Sequence, residues 1–144
     1  MTADELFEKG LLFLREKNTL SALASLEKAY ALKKTPAIMS FLGFCISQER
    51  GQITEAISLC ENAILQEPDN SLFYLNLGKV YLKAGDKPKS LETLRKGLSV
   101  GKNDEIRMLL ERIGNRKTPP FPFLRRSNLL NRITGFILTR LRLR

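Results

Sequence analysis

Apolar residues in this chain fall at helical spacing, and the pattern recurs. Between Asp104 and Gly114, Ile106, Leu109, Leu110 and Ile113 stand at i, i+3, i+4 and i+7, while Arg107, Glu111 and Arg112 take the opposite face. Asp104 is the expected cap and Gly114 the expected stop. Upstream, small and apolar residues return at one step. Ala22, Ala56 and Ser90 are 34 apart, as are Ala29, Ala63 and Gly97, and Leu26, Cys60 and Leu94. Gly10, Gly43 and Gly78 recur at 33 and then 35. Breakers punctuate each copy at Lys17-Asn18-Thr19, Glu49-Arg50-Gly51-Gln52 and Ala84-Gly85-Asp86. Thr54 and Asp86 are expected N-caps, Thr35-Pro36 starts a helix, and Pro88 sits in a first turn. Small residues at the repeated sites let two antiparallel helices approach closely. The pattern predicts six helices paired as three hairpins, a seventh helix over them, and no strand.

The residues that carry the repeat also carry a resemblance. The first helices read Leu6-x2-Lys9-Gly10-x2-Phe13, Met39-x2-Leu42-Gly43-x2-Ile46 and Tyr74-x2-Leu77-Gly78-x2-Tyr81. The second read Ala22-x3-Leu26, Ala56-x3-Cys60 and Ser90-x3-Leu94, and Pro68 stands where a closing proline is expected. This resembles the tetratricopeptide repeat, a helical hairpin of about 34 residues. Lys34 and Lys102 replace the proline elsewhere, and there is no Trp. The resemblance implies an all-α superhelix over residues 1–114, with repeats at about 3–36, 37–70 and 71–104 and a capping helix at 104–113. The middle copy carries one extra residue, placed near Gly51.

The resemblance also implies a concave groove lined by the first helix of each hairpin. Repeat one would offer Asp4, Phe7, Leu11, Leu14 and Arg15. Repeat two would offer Ala37, Ser40, Phe44, Ser47 and Gln48, and repeat three Leu72, Leu75, Lys79, Leu82 and Lys83. Family members that grip the acidic tail of chaperones carry Lys and Asn where Phe7 and Leu11 stand here. A groove apolar at one end and basic at the other suits a peptide or amphipathic helix instead.

Charge separates the last segment from the rest. From Met1 to Asp104 there are 14 basic and 13 acidic residues; from Glu105 onward there are 10 basic and 2 acidic. Most of the net charge of +9 therefore lies beyond the repeats. Residues 115–144 hold the Pro-containing stretch Lys117 to Pro122 near their start, with Phe121, Phe123 and Leu124 as apolar residues in this extended path. From Ser127 a helix is expected, with Leu129, Leu130, Ile133, Phe136, Ile137 and Leu141 in an apolar arc and Arg132 opposite. Arg140 interrupts the arc. Contacts expected from this segment are Phe121, Phe123, Leu130, Arg132, Ile133, Ile137 and Arg140. Four readings stay open: docking on its own solenoid or on a second copy, an anionic membrane surface, a dedicated protein partner, and nucleic acid. The last is least supported, since no nucleic-acid module is recognisable.

Catalytic chemistry is not expected. The chain has no histidine, which removes Ser-His-Asp and Cys-His arrangements and most zinc sites. No phosphate-binding glycine loop is present. Cys45 and Cys60 fall at core positions of the repeat and read as small buried hydrophobes. No cofactor or metal is expected. Met1 to Gly10 lacks the pattern of a secretory leader, so the expected compartment is the cytoplasm, peripheral at a membrane if the tail anchors. The function expected is that of an adaptor.

Overall fold

The computed structural model describes residues 1–115, and among them seven helices and no strand. They are α1 (Ala3–Arg15), α2 (Thr19–Leu32), α3 (Pro36–Glu49), α4 (Ile53–Gln66), α5 (Ser71–Lys83), α6 (Lys87–Val100) and α7 (Asp104–Asn115). The chain divides into two compact units, Met1–Met108 and Leu109–Arg144. In the first, α1 packs on α2, α3 on α4 and α5 on α6, and α3 also lies against α2 and α5. This is an all-α superhelix of three stacked hairpins.

The step of 34 is a packing rule. Ala22, Ala56 and Ser90 have no exposed surface, nor do Leu26, Cys60 and Leu94, nor Ala29 and Ala63. Each first-helix glycine faces the second helix at the same height. A Cβ on Gly10 would lie 2.9 Å from Leu26 Cγ, one on Gly43 2.9 Å from Cys60 Sγ and 2.8 Å from the Ala56 carbonyl oxygen, and one on Gly78 2.5 Å from Leu94 Cδ2. At Gly10 and Gly78 the space is taken by a leucine side chain of the second helix, and at Gly43 by the second helix's own backbone. Gly97 is as tightly placed in the last hairpin, where an added Cβ would meet Ile106 Cδ1 at 2.7 Å and Tyr74 Cβ at 2.8 Å. The central core runs through Leu23, Leu42, Cys45, Ile46, Leu77 and Val80.

The turn inside each hairpin repeats as well. Lys17, Gly51 and Gly85 all lie in the left-handed region, at φ 60°, 64° and 82°. In the outer hairpins this residue closes a Schellman turn. Asn18 N–H donates to the Phe13 carbonyl at 2.8 Å and Lys17 N–H to Leu14 at 3.0 Å; Asp86 donates to Tyr81 at 2.9 Å and Gly85 to Leu82 at 3.0 Å. Asn18 and Asp86 then cap the next helix, accepting from Ser21 and Lys89 N–H. The middle hairpin departs from this. Its extra residue lengthens α3 to 14 residues against 13 in α1 and α5. Gln52, at the position of Asn18 and Asp86, makes no side-chain cap bond.

Three sequence expectations about helix ends are corrected here. Thr54 is the second residue of α4, not its cap. Asn103 caps α7, its Oδ1 accepting from Ile106 N–H at 3.0 Å, and Asp104 is the first helical residue. Gly114 lies inside α7. The other starts have the expected chemistry: Thr35 accepts from Ile38 N–H, with Pro36 at the first helical position, and Thr2 and Glu5 form a capping box. In α7, Ile106 is buried and Arg107 and Met108 are exposed; in the second unit Leu109 and Ile113 are buried and Glu111 and Arg112 exposed.

Candidate functional site

The three first helices carry a pocket of about 510 Å³. Leu11, Leu14 and Arg15 reach it from α1, Phe41 and Phe44 from α3, Asn76 and Lys79 from α5, and Glu105 from the first turn of α7. One hydrophobic wall therefore draws on two repeats, and the third supplies polar groups. Phe41, Phe44 and Leu14 are half-buried and pack on the central core, so they are both wall and scaffold. Leu11 lines the pocket without belonging to that core cluster. Phe7 meets Phe41 edge to face, with ring centroids 5.9 Å apart and planes at 62°.

The polar side is ordered by specific contacts. Asn76 is buried and donates from Nδ2 to Ser40 Oγ at 2.9 Å. Ser40 is buried in turn, and its carbonyl oxygen faces Cys60 Sγ at 3.5 Å. Lys79 Nζ lies 2.8 Å from Glu105 Oε2 and 5.3 Å from the centroid of the Phe44 ring. Its side chain is 30% exposed, that of Glu105 61%. Arg15 and Lys17 stand on the rim, both exposed.

Of the groove residues expected from sequence, Leu11, Leu14, Arg15, Phe44 and Lys79 come together in this pocket, and Phe7 stands beside it against Phe41. Ser40, Ser47 and Leu75 are buried. Ser47 Oγ donates to the Phe44 carbonyl one turn back in its own helix. Leu82 is half-buried and Lys83 exposed further along α5, and neither is among the pocket's walls. The tail residues Phe121, Phe123, Leu130, Arg132, Ile133, Ile137 and Arg140 lie outside the described residues. Sequence reasoning missed Phe41, Asn76 and Glu105. Phe41 and Asn76 each sit one residue past an expected position, Ser40 and Leu75, and one residue is a rotation of about 100° on a helix. The signal available was Asn76 itself, a polar side chain between Leu75 and Leu77 in a buried helix.

Elsewhere the described residues carry little reactive chemistry. Burial pushes the thiols of Cys45 and Cys60 up to about 12, which keeps both protonated and unreactive at neutral pH. No group of three His, Cys, Asp or Glu residues is placed to hold a metal among the described residues. No described helix is long and apolar enough to cross a membrane.

Comparison with known proteins agrees with this architecture. The sequence profile of the tetratricopeptide repeat matches residues 48–113. No curated protein matches the chain. Among solved structures, the TPR domain of Sgt2 from Aspergillus fumigatus is similar at 22% identity and TM-score 0.65, covering 88% of this chain and 90% of its own. The first TPR of Spaghetti (RPAP3), solved with the HSP90 peptide SRMEEVD, is 16% identical with TM-score 0.64 over 79% of this chain and 94% of its own. The OM64 TPR domain of Arabidopsis is 17% identical with TM-score 0.64, over 80% and 96%.

Proposed function

We propose that this chain, which is a tetratricopeptide-repeat protein, is a protein-interaction adaptor that takes an apolar peptide segment or amphipathic helix against α1, α3 and α5. One observation carries the reading. Leu11, Leu14, Phe41 and Phe44 come from two repeats and form a half-exposed apolar wall with cations at its edge. Apolar side chains held open to water in a concave site are available to a ligand that brings its own. The fold of the similar domains allows this use, and one of them was solved with a peptide bound.

The site differs from a purely electrostatic clamp. Phe7 and Leu11 place apolar groups on α1, so affinity comes from anchor burial at about 25 cal/mol per Å² of apolar surface removed from water. Leu11→Glu tests this cleanly, because Leu11 is outside the core cluster. Capture of partner by the full-length protein should be lost, with helix content by circular dichroism unchanged. Phe44→Glu should also abolish capture. Unaltered capture by Leu11→Glu, with the fold intact, refutes the groove reading.

A further inference from the structure

We propose, taking this pocket as the ligand site, that Glu105 is an internal competitor for Lys79, and that the groove's peptide carries an acidic residue beside its apolar anchors. The cation and its partner are held differently. Lys79 is drawn into the pocket, its amino group against the Phe44 ring at 5.3 Å, where a cation is favoured by the ring face. Glu105 reaches the same amino group at 2.8 Å, yet most of its side chain is in water. An exposed carboxylate gives up such a pair readily, since surface ion pairs are weak. Lys79 stays where Phe44 and α5 put it.

Charge complementarity points the same way. The pocket's walls hold Arg15, Lys17 and Lys79 against Glu105, and neither Arg15 nor Lys17 makes an ion pair among the described residues. Once Glu105 is displaced, three cations border a wall of Leu11, Leu14, Phe41 and Phe44. A peptide whose Asp or Glu stands next to Leu, Ile or Phe satisfies both. Its carboxylate takes the position of the Glu105 carboxylate on Lys79 Nζ while its neighbour fills the apolar wall. A basic peptide would meet Lys79 and the rim cations, and is selected against.

The test is selection of a random 12-residue peptide library, displayed on phage, against the full-length protein, with Leu11→Glu protein as the control surface. Recovered peptides should carry Asp or Glu flanked by apolar residues. For a synthetic peptide from that pool, Lys79→Gln should weaken binding about threefold to fivefold, the range of a partly exposed ion pair. Replacing the peptide's acid by its amide should do the same, and the two changes together should add nothing more. Glu105→Gln should strengthen binding about twofold to threefold, and should have no effect when Lys79 is already Gln. Apolar peptides without acid enrichment, or acidic peptides indifferent to Lys79, overturn the proposal while leaving the groove in place. Glu105→Gln that leaves affinity unchanged or weakens it overturns the competition. No enrichment over the Leu11→Glu surface overturns the groove reading itself.

Discussion

The middle hairpin lacks a cap that its backbone is already shaped to receive, and this makes a sharp prediction. Asn18, Gln52 and Asp86 occupy one position in three successive repeats. Their dihedrals are nearly the same, with φ and ψ of −100° and 74°, −83° and 80°, and −99° and 76°. Asn18 Oδ1 and Asp86 Oδ1 each accept the N–H three residues on, at 3.2 Å. Gln52 has one methylene too many to fold back on α4, and Glu55 N–H gets no side-chain acceptor from it. Gln52→Asp or Gln52→Asn should supply one. Removing such a cap costs about 1 kcal/mol, so adding it should gain about that much. Asp adds a favourable charge at the helix N-terminus, of about 0.3–1 kcal/mol, which Glu55 close by partly offsets. The Asn variant isolates the hydrogen bond from the charge. In a domain of this size about 1 kcal/mol raises the melting temperature by about 4 °C. Urea melts followed by far-ultraviolet circular dichroism read the gain as a higher midpoint at constant slope. If neither variant moves the midpoint, while Asn18→Ala and Asp86→Ala both lower it, the three turns are not equivalent and the reasoning fails.

Other outcomes follow from the same packing. Lys17 holds a left-handed φ where the other two hairpins have glycine, so Lys17→Gly should stabilise by about 0.5–1 kcal/mol in the same melts; a loss would mean the Lys stem contributes packing that outweighs the strain. Ala56 has no exposed surface, and Ala56→Leu should cost about 1–3 kcal/mol by overpacking α3 against α4; an unchanged melting temperature contradicts that. Gly43→Ala should cost more than Gly10→Ala, because the new methyl meets the Ala56 carbonyl at 2.8 Å rather than the adjustable Leu26 side chain; equal costs would place the strain elsewhere. Burial pushes the thiols of Cys45 and Cys60 up to about 12 in the fold, above the 9.0 of an ordinary thiol. The folded state therefore keeps protons that the unfolded state releases, and stability should fall as pH rises from about 9 towards 12. Replacing both by Ala should flatten that decline in a pH series of urea melts, and an unaltered slope would show that the thiols do not set it.

The fold was legible because its requirements are steric and repeat at a fixed step. Gly10, Gly43 and Gly78 oppose Leu26, Cys60 and Leu94 in three hairpins, and a Cβ at any of the first set would meet the second helix at 2.9 Å or less, so that something there must shift. A constraint that strict leaves a mark in the letters. Helix ends were less legible because two neighbouring polar residues compete for each cap. At α7 both Asn103 and Asp104 could serve, and the backbone places Asn103 outside the first turn. At α4 the expected Thr54 is already helical, because the residue added to α3 moves the turn without moving the chemistry.

The groove was legible only in part, and the reason is rotational. A residue on α3 or α5 faces the pocket or the core according to a difference of one position, so Ser40 and Leu75 turn inward while Phe41 and Asn76 line the site. The repeat register does not resolve that difference, because both neighbours share the same helix and step. Composition resolves it only where the inward residue must be small or the outward one polar. Ser40 meets the first condition: its hydroxyl accepts from Asn76 Nδ2 across the α3–α5 contact at 2.9 Å. Asn76 meets the second. The pair joins two repeats through buried polar atoms, and Lys79, one turn on from Asn76, stands with its amino group 5.3 Å from the centroid of the Phe44 ring. Ser40→Ala should therefore act on the site as well as on the core. With the hydroxyl gone, Asn76 keeps an unmet donor in a buried place, at a cost of about 1–3 kcal/mol. The cation over Phe44 should then lose its fixed approach. Ser40→Ala together with Asn76→Leu removes both polar groups, and should recover stability without recovering selection for acidic peptides. Recovery of both would show that Lys79 is positioned by α5 alone.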